Sequence, residues 1–378
     1  MNQPPRHLSV LHLTDYGAPY EGNFVASLRA LEERLQAEGG EMTYVFPRRA
    51  GDTAWAREMA LKKGNVHIVE RDGFLAYSRQ IRRLLKESDA DILHAHFIHY
   101  KEKLAALYAC ATCGHRVKTV LHLHNHLAIP KNPLRAIPQR LYLPFVARFV
   151  CCSRSVAAHL IGDGVSQQRV CVAENAIAFG RLDRFEPIAR ESIGVYAGDR
   201  LALMFGFDYL RKGVDLAVQA VQSLRASGEA VSLAIVLSSR REQVERAILT
   251  QLGESRLPGW ILLLPPRSDV GSYYRLADVF LSPSREEGFC YSLVEAAYCM
   301  VPVLASAIDA QRDLALPQDA FFAPNDEQAL TGAIRRVLCK PDSPAKTEAL
   351  AQAKRRVTES YSLQAWANTL ARIYGGIQ

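Results

Sequence analysis

The sequence predicts an α/β protein of two doubly wound domains, each a parallel sheet covered by helices, and three observations predict it. Short apolar runs alternate with helical stretches from end to end, the pattern of strands buried on both faces by crossover helices. At 378 residues the chain exceeds what one core organises, so two domains are the default. The polar stretch 183–199 lacks strong periodicity and separates two strand series, which places the interdomain linker there.

Composition narrows the class. Hydrophobic residues make up 49% of the chain, a globular value, and no apolar run reaches the ~18 residues of a membrane span. The start, Met1-Asn-Gln-Pro-Pro-Arg6, leads straight into a strand without the apolar core of a signal peptide, so a cytoplasmic protein is expected. Eight cysteines then read as reduced thiols rather than a disulfide framework. Cys110-x-x-Cys113 has metal or redox spacing, but no second pair completes it, and buried thiols at a helix end are expected instead. The net charge of +7 lies wholly in the first half: residues 1–180 hold 23 Lys+Arg against 16 Asp+Glu, and residues 181–378 hold 23 of each. From Lys103 to Gly162 there are eight basic residues and no carboxylate, a one-sign charge that concentrates anionic partners. Nucleic acid is not expected as that partner, because no binding module and no base-stacking aromatics accompany the charge.

In chain order, residues 7–13 read as the first strand and 15–23 as a Gly-bearing loop before a helix over 24–38. Strands follow at 42–46 and 66–69 with a helix over 54–63 between them, then a helix over 75–87 and a strand over 91–97. The strand over 118–124 ends in His124-Asn125-His126. With His94, His96 and His99 these histidines suggest a zinc site, His being the commonest metal ligand. Alternation sends His122, His124 and His126 to one face only if the strand runs through all three, and Asn125 is expected to end it first. The histidines other than His124 are therefore read as strand or junction residues satisfied by neighbours, with no metal expected. Residues 130–149 mix Lys131, Arg135, Arg140 and Arg148 with apolar positions, which suits an anionic membrane surface or an acceptor groove, although Pro138 and Pro144 break any long helix. Strand ends at 150–153 and 170–177 close this series.

The second series opens with a strand over 201–206, and Gly206 leads through Arg211-Lys212-Gly213 into a helix over 214–226. Two cations at a helix start oppose its dipole, so a negative group is expected beside them, and a diphosphate would serve. Buried-type strands over 231–237 and 260–264 follow, then a loop bearing Arg267. Residues 282–305 are the most informative stretch: an apolar run ends in Ser282-Pro-Ser, Glu287-Gly288-Phe289-Cys290 makes a turn, a helix over 292–297 follows, and an apolar strand over 301–304 closes the unit. The N–H groups of Tyr291, Ser292 and Leu293, at the positive end of that helix, suit a phosphate. Glu287 and Glu295 flank this anion site. Carboxylates accept from hydroxyls, and a ligand carrying both phosphates and hydroxyls is a nucleotide sugar. Two glutamates that merely favour the dipole are the plainer alternative.

Glu287-Gly288-Phe289 followed by Glu295-Ala296 and Pro302-Val303 resembles the Glu-x7-Glu signature of glycosyltransferase family 4, retaining enzymes of the GT-B fold that need no metal. Ordered matches extend the resemblance over most of the chain: Gly22 where the family has a Gly pair, Asp91-Ile-Leu-His94-Ala-His96, His124-Asn125, Glu174-Asn175, Gly206 with Arg211-Lys212-Gly213, and Arg267 with Asp269, Val270, Tyr274, Ala277 and Asp278. The resemblance implies two Rossmann-like doubly wound domains facing across a cleft. Residues 1–182 would form the acceptor side, with the terminal helix 362–378 packing back on it, and 183–361 the donor domain. It implies that Gly22 and Gly206 let backbone approach the donor, that Arg211 and Lys212 take the diphosphate, and that the loop of Arg267 holds the base through its backbone. Glu287 would take hydroxyls of the transferred sugar and Glu295 those of the ribose, with Gly288, Phe289, Cys290, Tyr291, Ser292 and Leu293 around them, and His124 would touch the sugar. Asp89-Ala-Asp91 has the Asp-x-Asp spacing of metal-dependent transferases and is set aside, since such a triplet at a helix-to-strand junction arises often by chance and Asp91 begins the metal-free family's own motif. The implied function is retaining hexosyl transfer from a nucleotide diphosphate sugar, a co-substrate with no metal cofactor, to a glycan or lipid-linked acceptor in cell-surface polysaccharide or glycoconjugate synthesis. Lys131, Arg135 and Arg140 are expected on the acceptor side, for an anionic acceptor or a peripheral contact with the inner face of the cell membrane. Phe207 for the usual Arg, Cys290 for the second Gly and Met300 for a Gly depart from the family. They leave open a second reading, a catalytically degenerate GT-B chain that binds or activates a true transferase.

Overall fold

The computed structural model describes residues 7–63, 65–127, 137, 140–339 and 343–377. The chain divides into two compact units, residues 1–176 with 363–378, and residues 177–362. In the first unit seven strands, β1 (Ser9–Thr14), β2 (Glu41–Pro47), β3 (Val66–Val69), β4 (Ile92–His96), β5 (Lys118–Leu123), β6 (Arg148–Cys151) and β7 (Val170–Val172), lie in the order β3-β2-β1-β4-β5-β6-β7. Every pairing is parallel. β1 and β4 are buried along their whole length, which central strands covered on both faces require. One face is covered by the Gly22–Gln36 and Leu363–Gly375 helices, whose Phe24, Leu28, Leu31, Trp366, Leu370 and Tyr374 join one core with Tyr44, Phe46 and Trp55.

The second unit repeats the plan. β8 (Arg200–Phe205), β9 (Val231–Val236), β10 (Ile261–Leu264), β11 (Val279–Ser282), β12 (Val303–Ser306) and β13 (Phe321–Phe322) run parallel in the order β10-β9-β8-β11-β12-β13. Its core joins the Val214–Ala226 helix, with Val214, Leu216, Val218, Val221 and Leu224, to Leu233, Ile235, Leu281 and Ile334. In each sheet the order reverses beside the first strand, between β1 and β4 and between β8 and β11. Doubly wound sheets bind ligands outside such a reversal, at the strands' carboxyl ends.

The stretch 183–199 lies in the second unit. Glu186 N–H donates to Asp269 Oδ2 at 3.3 Å, Arg190 donates to Leu276 O at 2.6 Å, and Asp199 Oδ2 accepts from Ser232 Oγ at 2.6 Å and Arg225 Nη1 at 2.7 Å. Specific polar anchors therefore bind an aperiodic segment to the second unit, and the division falls at Ala176 and Ile177 instead. Among the described residues no helix is long and apolar enough to cross a membrane, and the cysteines are free. Cys113 Sγ donates to Cys110 O and His115 O at 3.0 Å, while burial pushes the Cys110 thiol up to about 12.

Candidate active site

The candidate site of the second unit is built at its strand reversal. After β8 comes Gly206, where a Cβ would lie 2.7 Å from Val214 Cγ2 and 2.9 Å from Ile235 Cγ2. The chain then turns to Gly213, whose φ is +67° and whose Cβ would stand 2.0 Å from Pro283 O. Only glycine permits that approach of the turn after β8 to the loop after β11. Arg285 fastens the two, donating to both Asp215 carboxylate oxygens at 2.8 and 2.7 Å, and its own N–H donates to Arg211 O at 2.8 Å.

Between these loops Lys212 Nζ lies 2.6 Å from Glu287 Oε1, which also accepts from Ser284 Oγ at 2.8 Å. Arg211 Nη1 stands 3.9 Å from Glu287 Oε2. The Phe207 ring lies 5.1 Å from the Arg211 guanidinium and 5.4 Å from Lys212 Nζ. The residue that replaces the expected Arg thus holds the two remaining cations by cation–π attraction. The negative group expected to offset Arg211 and Lys212 is Glu287 itself, 6% exposed, so the dipole argument alone does not call for a phosphate. Glu295, 4% exposed, accepts from Tyr274 Oη at 2.9 Å and pairs with Arg181. Burial, and then the Glu295 charge, push the Tyr274 phenol well above its ordinary value, so it stays a donor. Tyr274 stood inside a matched motif without a role. Arg181, 114 positions from Glu295, gave no local signal at all.

Between the glutamates, Phe289 packs edge-on to Tyr291 and Tyr361 with centroids 5.1 and 5.4 Å away, and Leu293 is buried. Cys290 precedes the Tyr291–Tyr298 helix without a side-chain capping bond, its Sγ 3.4 Å from both Ser282 Oγ and Ser292 Oγ. A helix N-terminus lowers a thiol's pKa, but here burial wins and raises it. With Gly288, Phe289, Cys290 and Leu293 buried, this run offers a ligand mainly backbone. Arg267 grips Asp269 with two bonds of 2.7 and 2.8 Å, which holds that carboxyl well below the usual range. Met300 adopts φ +61°, keeping the left-handed backbone that the family's glycine would supply.

In the first unit Gly22, at φ +60°, opens the Gly22–Gln36 helix, and a Cβ there would lie 2.9 Å from Tyr16 Oη. His124, just past β5, stacks on Phe97 at 3.9 Å and brings Nε2 to 3.3 Å from His96 Nδ1. Burial pushes His124 down to about 3, against the raising effect of its hydrogen bond with Asn175. The expectation that the other histidines are satisfied by neighbours fails for two of them. Among the described residues neither ring nitrogen of His122, nor His94 Nε2, has a partner. His99 does have a local role, capping the Tyr100–Thr112 helix with Glu102 accepting from its N–H at 2.8 Å. Arg140 is exposed, as are Leu141 at 61% and Phe145 at 71%. Lys131 and Arg135 lie outside the described residues.

Comparison with known proteins agrees with this architecture. A family model described as Glycosyltransferase Family 4 matches residues 25–181, and one described as Glycosyl transferases group 1 matches 185–356. The chain is 24% identical over 242 residues to a D-inositol 3-phosphate glycosyltransferase of Pseudarthrobacter chlorophenolicus, covering 61% of this chain and 57% of that protein. It is 30% identical over 121 residues to the lipopolysaccharide glucosyltransferase WaaG of Escherichia coli, 32% of each. The matches thus span about half or less of these curated relatives. Among solved structures, a glycosyltransferase from Rickettsia africae superposes with a TM-score of 0.79 at 17% identity, covering 98% of this chain and 99% of that one. HepE of Anabaena in complex with UDP-glucose gives 0.76 at 16%, covering 98% and 100%.

Proposed function

The chain belongs to the GT-B glycosyltransferases, a family 4 domain followed by a group 1 domain, and we propose that it transfers a sugar from a nucleotide diphosphate sugar to a glycan or lipid-linked acceptor of cell-surface polysaccharide or glycoconjugate synthesis. The observation that carries this reading is the Arg211, Lys212 and Glu287 cluster, laid on Phe207 at the strand reversal and followed by a helix start without a side-chain cap. As the sugar's anomeric carbon gains positive charge, the diphosphate leaves with negative charge. Arg211, Lys212 and the N–H groups of Tyr291, Ser292 and Leu293 stabilise it there, with no metal required. Glu287 is fixed by Lys212 and Ser284, Glu295 by Arg181 and Tyr274, and each then orients ligand hydroxyls. In a retaining transfer the bond from the anomeric carbon to the phosphate oxygen breaks while the acceptor oxygen bonds on the same face. The acceptor's proton passes to the departing phosphate, the nearest base, and no residue becomes covalently linked. HepE's complex with UDP-glucose makes a uridine diphosphate sugar the first donor to try.

Thermal unfolding with a panel of nucleotide sugars tests the reading. A cognate nucleotide at about 100 times its Kd stabilises by roughly 2.7 kcal/mol, and Lys212→Ala removes that shift and lowers turnover about 100-fold. Undiminished turnover in Lys212→Ala would sink the assignment. Phe207 in place of a phosphate-binding Arg favours a second reading, a degenerate chain that binds or activates a true transferase. That reading takes over if no nucleotide in the panel shifts the transition.

A further inference from the structure

The first unit carries a histidine cluster of which the donor reading uses only His124. Parallel register sets His12 opposite His94 and His96 opposite His122. Side chains two apart on a strand share a face, so these four lie on one face of β1, β4 and β5, with His124 just beyond. His12, His94 and His96 are fully buried and His122 is 3% exposed. The Leu363–Gly375 helix covers them, with Tyr374 Oη 2.5 Å from His94 Nδ1 and the Trp366 ring 6.0 Å from that of His122.

Placing imidazoles there without partners is costly, because each buried ring nitrogen loses its bonds to water. An apolar strand residue would fill the same space without that penalty, yet among the described residues His122 has neither nitrogen bonded. His96, His122 and His124 can each present one nitrogen so that all three lie within 4.8 Å of one another. We propose that His96, His122 and His124 form a three-histidine site for a divalent transition-metal ion of the zinc class. The assignment rests on the geometry of the first unit and shares only His124, expected to touch the sugar, with the donor reading.

Two features support it. His96 Nδ1 and His124 Nε2 stand 3.3 Å apart, the separation that two bonds of ~2.0–2.1 Å span at a tetrahedral angle. The ion takes the place of their present bond, and His122, now parallel to His124 with centroids 4.4 Å apart, turns to supply the third nitrogen. Both other ligands are already oriented from behind: His96 Nε2 faces His12 Nδ1 at 3.1 Å, and His124 is hydrogen-bonded to Asn175, the kind of outer partner that fixes a ligating imidazole. Three imidazoles suit zinc, copper or nickel rather than magnesium or calcium, and leave one position for water. The inner trio of His12, His94 and His96 is the poorer site, since His94 Nδ1 is held by Tyr374 and His12 already faces His96.

The test uses the full chain, free of any affinity tag and stripped by chelator, titrated with cobalt(II) and then zinc(II). One cobalt per chain with the intense visible absorption of a tetrahedral site is expected, bleached by zinc. His122→Phe and His96→Phe should each lose at least ~100-fold in affinity, and Asn175→Ala about 10- to 100-fold, while His126→Ala binds normally. Since a core substitution can unfold the chain, the unsubstituted protein's thermal transition is read too: zinc should raise it and chelator reverse the rise. No saturable binding at micromolar metal, no zinc-dependent shift, or a shift that persists in folded His122→Phe overturns the proposal. Binding lost in His94→Phe but kept in His122→Phe would place the ion in the inner trio and overturn it equally.

Discussion

Single residues in this chain act through pairs that long-range folding makes. Lys212 and Glu287 are separate signals in the sequence, one read as a phosphate ligand and the other as a hydroxyl ligand, and they meet at 2.6 Å. Lys103 is the contrary case, a cation that among the described residues forms no ion pair with a carboxylate. Its Nζ lies 3.5 Å from Tyr142 Oη and 5.4 Å from that ring's centre, near the start of the Tyr100–Thr112 helix, where positive charge is disfavoured. Burial lowers its pKa to about 8, and adjacent Glu102 restores only part. The unfolded chain therefore holds this proton more tightly than the folded one between about pH 8 and 10.5. Stability rises with pH across that window and the full deficit is present at pH 7. Lys103→Met should raise stability at pH 7 by about 1–3 kcal/mol, and urea titrations should show the advantage shrinking from pH 8 to 10. A pH-independent difference would show that burial of the charge is not its cause.

Among elements, the strands and several helices were the legible part, whereas the Tyr100–Thr112 and Arg154–Gly162 helices were not read. The 54–63 and 214–226 helices and the 66–69 strand coincide with Ala54–Lys63, Val214–Ala226 and Val66–Val69, because flanking glycines at 51, 64, 73, 213 and 228 bound them locally. The Arg241–Leu252 and Pro344–Ser360 helices bury few side chains, Val244 and Ile248 in one and Ala353 and Val357 in the other, so no broad apolar face delimited them. The Leu363–Gly375 helix is a different matter. Its apolar stripe marks a helix, but its partner, the Gly22–Gln36 helix, is far away in sequence. Trp366, 4% exposed in that contact, should cost about 3–5 kcal/mol when replaced by Ala. Urea unfolding followed by signals of the first unit measures this, and a loss below ~1 kcal/mol would mean that the helix is not integral to that core.

For the whole molecule the telling property is charge. The +7 resides in residues 1–180, and the exposed Arg140, Leu141 and Phe145 join cationic to apolar character. We infer an acceptor that is anionic or sits at an anionic surface. Attraction between exposed charges is screened over about 8 Å at physiological ionic strength. Binding to vesicles rich in anionic lipid should accordingly fall as salt rises, and Lys131→Glu, Arg135→Glu and Arg140→Glu together should weaken it without changing nucleotide affinity. Equal binding to neutral and anionic vesicles, with full activity of the triple variant, would leave only a generic basic surface.

By itself the sequence determined the two parallel sheets, the strand-loop-helix unit carrying Glu287 and Glu295, and the cationic turn at Arg211 and Lys212. Each of these is written in local periodicity, glycine placement and short spacings. The tertiary structure alone decided what those groups touch. Arg181 reaches Glu295, Arg285 locks Asp215, Phe207 supports Arg211 and Lys212 although it replaces the family's further Arg, and the polar stretch 183–199 is fastened to the second unit. The histidines show the reason most plainly. Strand alternation was readable, but whether His12, His94, His96 and His122 share a face depends on register between strands up to 84 residues apart. Register is fixed by packing of the whole sheet, and no spacing along the chain records it.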